Sequence, residues 1–167
     1  IALPKITIAA APADTICSGT PVTFTAAVAN DASTPLYQWL LNNTPVGTNT
    51  SVYMTDTLHS GDRVTCMLPY IFGDTVTTLS NTIFVTVDSF PNAGAITGPD
   101  TGFKGDSITF SATAPGGVWN CSNTNAIVIG NKILGVTTGM DTVRYILTNA
   151  CGADTANQIV SIWDCPS

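Results

Sequence analysis

The 167-residue chain carries five permanent cations against eleven acidic residues, a net charge of −6. Lys5, Arg63, Lys104, Lys132 and Arg144 are scattered, and this excludes the clustered positive charge that nucleic acid binding requires. Its apolar runs fall far short of the ~20 residues of a membrane-spanning helix, so no membrane insertion is expected. Threonine occurs 27 times, and every acidic residue is Asp, never Glu. Thr is stiff at χ1 and suits a pleated surface, while Asp belongs to turns and strand ends. The composition therefore predicts an all-β protein.

In chain order, period-two alternation predicts strands over 5–10, 21–29, 36–41, 51–55, 63–68 and 79–87. A second series covers 107–112, 117–121, 126–129, 132–136, 142–148 and 157–163. Pro91 interrupts pairing after the strand that ends at Val87. The chain thus divides into a module over 1–88, a linker over 89–92 and a module over 93–167. The expected fold is two tandem immunoglobulin-like Greek-key β-sandwiches joined by a short linker.

The order Cys17, Trp39, Cys66 matches the Cys…Trp…Cys order of such a sandwich and predicts a Cys17–Cys66 bridge. Closing that ~50-residue loop contributes about 4 kcal/mol on the chain-entropy account. In the second module, Trp119 and then Cys121 follow the Pro115-Gly116-Gly117 turn, and Cys151 lies in the turn between the last two strands. Those turns share a pole in a Greek-key sandwich, so Cys121–Cys151 is the reasonable pair and Cys165 the leftover thiol. Five cysteines without metal-ligand spacing indicate disulfides and an oxidising compartment. Ile1 follows no initiator Met or leader, so the chain is expected to be an internal segment of a longer protein or to have lost a signal peptide.

The runs Thr15–Ala26, Tyr37-Gln38-Trp39 and Ser60–Cys66 resemble the Ig-like repeats of large Bacteroidetes surface proteins. The runs Ile96–Pro99, Gly116–Asn123 and Thr148–Gly152 resemble the bacterial Ig-like (Big-2-type) repeat of the same proteins. That family has Cys where Phe103 stands and Ser where Cys121 stands, which leaves the pairing among Cys121, Cys151 and Cys165 open. The closing Trp163-Asp164-Cys165-Pro166 resembles the junction before a type IX secretion sorting domain. The resemblance implies a secreted or cell-surface location, and a role as adhesin, gliding component or accessory part of a secreted hydrolase. Asp-Ser/Thr tripeptides centred on Thr15, Thr57, Thr75, Ser107, Thr142 and Thr155 resemble the O-glycosylation motif of exported Bacteroidetes proteins. Turn-then-strand grammar writes the same tripeptides without a sugar.

No catalytic constellation stands out, no enzyme is expected, and no cofactor is implied. The lone histidine, His59, shares one turn with Ser60 and Asp62, whereas a triad needs side chains that converge. Asp88, Asp100 and Asp106 are acidic enough for calcium, but turn-capping accounts for them equally well. The apolar segment 68–74, with Tyr70, Ile71 and Phe72, reads as a hairpin tip able to stack on a sugar or anchor a partner. The alternative is that these rings fold over the core. The expected function is a structural spacer or stalk module, with a carbohydrate- or protein-binding module as the other reading. Expected partners are neighbouring domains of the parent chain, and polysaccharide or a surface protein.

Overall fold

A computed structural model describes residues 4–30, 34–72 and 74–166, and for 70–72 and 74–76 the backbone alone. The first ten strands are β1 (Lys5–Ala11), β2 (Thr15–Cys17), β3 (Val22–Ala29), β4 (Gln38–Leu41), β5 (Thr44–Val46), β6 (Val52–Thr55), β7 (Arg63–Phe72), β8 (Asp74–Leu79), β9 (Ile83–Phe84) and β10 (Thr86–Asp88). One sheet has the order β1-β3-β6, and the other β5-β4-β7-β8 with β9 also on β7. A short parallel pair joins β2 to β10. Alternation places Val22, Phe24 and Ala26 of β3 inward against Trp39, Val64 and Cys66. The rings of Phe24, Trp39 and Tyr53 meet at centroid distances of 5.9–6.4 Å, and the Trp39 indole donates to the Thr50 carbonyl at 3.0 Å.

The expected strand over 79–87 is broken. Ser80 and Asn81 interrupt it, and their side chains replace the ladder. The Ser80 hydroxyl accepts from the Cys66 N–H at 2.9 Å, while the Asn81 amide accepts from and donates to the Ile8 backbone at 2.8 and 3.0 Å. The expected hairpin tip at 68–74 is mostly strand, because β7 runs through Pro69 to Phe72. Pairing with β4 ends at Met67, so Pro69 lies where β7 has one neighbour and a missing N–H is tolerated. Leu68 belongs to the core.

The remaining strands are β11 (Ile96–Thr97), β12 (Thr101–Phe103), β13 (Ser107–Thr109), β14 (Ser111–Ala112), β15 (Val118–Cys121), β16 (Ala126–Ile129), β17 (Lys132–Gly135), β18 (Gly139–Asn149) and β19 (Gly152–Trp163). They form sheets of order β12-β19-β18-β15 and β13-β17-β16, plus the small β11-β14 pair. Strand β12 runs parallel to β19. Phe110, Ile133, Val143, Val160 and Ile162 fill the space between the sheets. The chain divides between Ser89 and Phe90, and each unit has its own apolar core. Both units are immunoglobulin-like β-sandwiches.

Two polar latches close the second sandwich. The Tyr145 hydroxyl donates to the Ala114 carbonyl at 2.7 Å and accepts from the Gly117 N–H at 2.6 Å. A side chain at Gly117 would strike the Tyr145 ring and the Ile146 carbonyl, so only glycine fits there. Buried Asp141 gathers the other end. Its Oδ1 accepts from the backbone N–H groups of Ser122, Asn123 and Thr142 and from the Ser122 hydroxyl, and its Oδ2 accepts from the Ala126 N–H, all at 2.7–3.1 Å.

Candidate functional site

The cysteines depart from expectation. Cys17 and Cys151 are the disulfide-bonded cysteines, whereas Cys66, Cys121 and Cys165 carry free thiols. Neither the Cys17–Cys66 nor the Cys121–Cys151 bridge forms. In β2 it is Ile16 that faces the core, so alternation turns Cys17 away from the interior that Cys66 occupies beside Trp39. The strand that does face that interior, β3, carries Phe24 and no cysteine. In the second module Cys121 pairs with Val143, while the β18–β19 turn begins at Asn149, six residues away (149 − 143). At ~3.3 Å per residue that is about 20 Å, well beyond the ~7 Å Cα limit for a bridge. Cys121 stands at the far end of β15 from that turn.

Burial pushes the Cys66 thiol up to about 11, and burial with the neighbouring Asp141 charge pushes Cys121 up to about 11. Both remain protonated, and therefore poorly nucleophilic, near pH 8. Cys165 is exposed. We expect one thiol to react rapidly with a thiol reagent at pH 8 in the native protein, and three after denaturation without reductant. A count of one after denaturation would restore the two expected bridges.

His59 is a turn residue with 87% of its side chain exposed, and its Nδ1 lies 4.0 Å from Asp62. Asp62 ties the turn together: Oδ1 accepts from the Asn42 amide at 2.7 Å and Oδ2 from the His59 N–H at 2.8 Å. Burial alone would raise the pKa of Asp62, but the Asn42 amide, the His59 N–H and the His59 charge outweigh it and hold the carboxyl below its usual range. A pKa lowered on folding adds stability above the unfolded value of about 4, and that stability is lost as pH falls through the folded value. The urea midpoint of the first module should therefore fall on acidification below about pH 4, and Asp62→Asn should flatten that fall. An unchanged pH profile in the variant would assign the acid sensitivity elsewhere.

Among the described residues, no group of three or more His, Cys or Asp could hold a metal ion. The side chains of Tyr70, Ile71, Phe72 and Thr75 lie outside the described residues. Thr15, Thr57, Ser107 and Thr155 are exposed and Thr142 is half-buried. Two of the repeated tripeptides have a structural Asp: Asp141 holds its five-bond cluster, and Asp154 accepts from the Ala93 N–H at 2.8 Å.

Sequence reasoning missed one feature of the second module, a groove of about 620 Å³ along the open side of the sandwich between β12 and β13. Its lining includes Thr101, Phe103, Asp106, Ile108 and Trp163. Phe103 and Trp163 are register partners on the parallel β12–β19 pair, and they are 40% and 59% exposed. Gly102 and Ile162, their neighbours, face inward, so both rings leave the outer face of the sheet. The sequence shows only an aromatic at each of two positions sixty residues apart, and their pairing is not readable from it.

The strand order of each unit defines the class: a tandem pair of immunoglobulin-like domains. No family model matches the chain, and no curated protein matches it. Among solved structures the chain is similar to the N-terminal eight Ig domains of Down Syndrome Cell Adhesion Molecule, with 13% identity and a TM-score of 0.53, over 96% of this chain and 25% of that one. It is also similar to three N-terminal domains of the highly immunogenic outer capsid protein of bacteriophage RB49, with 14% identity and a TM-score of 0.48, over 96% and 59% of the two chains. Murine CEACAM1b gives 12% identity and a TM-score of 0.45, over 95% and 100%. The chain thus spans a quarter of the first of these structures and 59% of the second. Identities this low establish the fold alone.

Proposed function

We propose that the chain is a non-catalytic pair of Ig-like modules from a secreted or cell-surface protein, serving as a structural spacer or stalk in an adhesin-like chain. The observation that carries this reading is where the polar side chains go. Asp62, Asn81, Asp141, Tyr145 and Asp154 all bond backbone groups that close turns and strand ends. These bonds hold the fold. Disulfide-bonded Cys17 and Cys151 favour an oxidising, extracellular setting. The resemblance to Bacteroidetes repeats, and the Trp163–Pro166 tail, favour export by type IX secretion. Exposed Thr15, Thr57, Ser107 and Thr155 are open to O-glycosylation in such a host, and an intact mass without added glycan on host-purified protein would refute that part.

The spacer role is tested in the parent protein. Deleting the pair should impair surface display or adhesion, while replacing it with an unrelated two-module Ig-like pair of equal length should restore both. Failure of the replacement would show that these modules supply something more specific than length. The second reading, a binding module, is favoured by the groove beside Phe103 and Trp163.

A further inference from the structure

We infer that the groove between β12 and β13 is a carbohydrate site that takes pyranose units of a neutral polysaccharide on the Phe103–Trp163 platform. The two rings sit on adjacent in-register strands, about 4.8 Å apart in backbone spacing, and emerge on one face. Their supports are rigid. The Lys104 N–H donates to the Trp163 carbonyl at 2.8 Å, the Asp106 N–H donates to the Phe103 carbonyl at 3.0 Å, and Gly105 takes the left-handed φ of +89° that this turn needs. A preorganised aromatic surface loses little freedom when a flat ligand stacks on it.

The polar lining selects the ligand. Thr101, two residues before Phe103 on β12, shares its side of the sheet, and Asp106 is among the residues that line the groove. Neither side chain has a hydrogen-bond partner among the described residues. A pyranose offers an apolar C–H face to the rings and hydroxyl groups to just such donors and acceptors. A free carboxylate in a chain of net charge −6 disfavours an anionic glycan. An extended peptide fits less well. Strands β12 and β13 are three residues each, and edges this short discourage strand addition. An apolar protein surface would bury the unpaired carboxylate at a cost.

The whole 167-residue chain should be run by affinity electrophoresis through gels containing laminarin, mannan, galactan or starch, with alginate as the anionic contrast. At least one neutral polysaccharide should retard it. Trp163→Ala and Phe103→Ala should each weaken that binding tenfold or more, Asp106→Asn several-fold, and Trp163→Phe should keep most of it. Each variant is checked for an unchanged urea midpoint, which is expected because both rings lie outside the core. No retardation by any neutral polysaccharide would overturn the inference. So would undiminished binding by Trp163→Ala, or alginate binding that equals the neutral gels and disappears in salt. Selection of an apolar peptide from a peptide array, with every glycan failing, would reassign the groove to a protein partner.

Discussion

Asp141→Ala is expected to unfold the second module while leaving the first folded. The lost carboxylate is the shared acceptor of four backbone N–H groups and one hydroxyl, and it is 2% exposed. Each buried donor left without a partner costs about 1–3 kcal/mol. Water can reach the exposed Ser122 side of the cluster but not the Ala126 side, so a total near 4 kcal/mol or more is expected. A domain of this size is stable by only about 4–12 kcal/mol. Asp141→Asn should fall between, since an amide keeps one acceptor oxygen and turns its NH2 toward other donors. Two-dimensional amide NMR is the direct check: the resonances of one module should collapse while those of the other stay dispersed. A variant within about 1 kcal/mol of the parent in urea would refute this account of the cluster.

Trp39→Ala should have the reciprocal effect on the first module. Truncating a buried Trp costs about 3–5 kcal/mol in lost transfer and cavity terms. Trp39 is 0% exposed, packs against Phe24 and Tyr53, and leaves the Thr50 carbonyl without its indole partner when removed. The sum is comparable with the whole stability of a small sandwich that lacks an internal bridge at Cys66. Trp39→Phe should retain part of the ring packing and cost about 1–3 kcal/mol, from the smaller ring and the lost hydrogen bond. Urea unfolding followed by NMR would separate the two modules. Loss of both together in Trp39→Ala would contradict the independence of the two cores.

Most long strands were legible because their signal is local. Strands β3, β7, β16, β18 and β19 alternate between core and solvent, and their alternation can be read without knowing what they pair with. The short strands were not. β2, β12 and β5 hold three residues each, too few for a period to show, and they exist because a distant strand offers an edge. Register explains the errors. Trp39 and Cys66 are opposite each other as an Ig-like reading expects, yet the third member of that trio is Phe24, not Cys17. The order of residues along the chain could not reveal that Cys17 sits on the extra parallel strand beside Asp88.

By itself, then, the sequence determined an all-β chain with two cores. Thr, Asp and alternating apolar residues specify strands, turns and faces through interactions spanning only a few positions. The tertiary structure decided which cysteines are bonded, what Asp141 serves, and that Phe103 stands beside Trp163. Each of those depends on two segments meeting: Ala126 with Asp141, or β12 with β19 some sixty residues later. Bridge formation and ring platforms require proximity and a shared side of the sheet, and only the paired register supplies both.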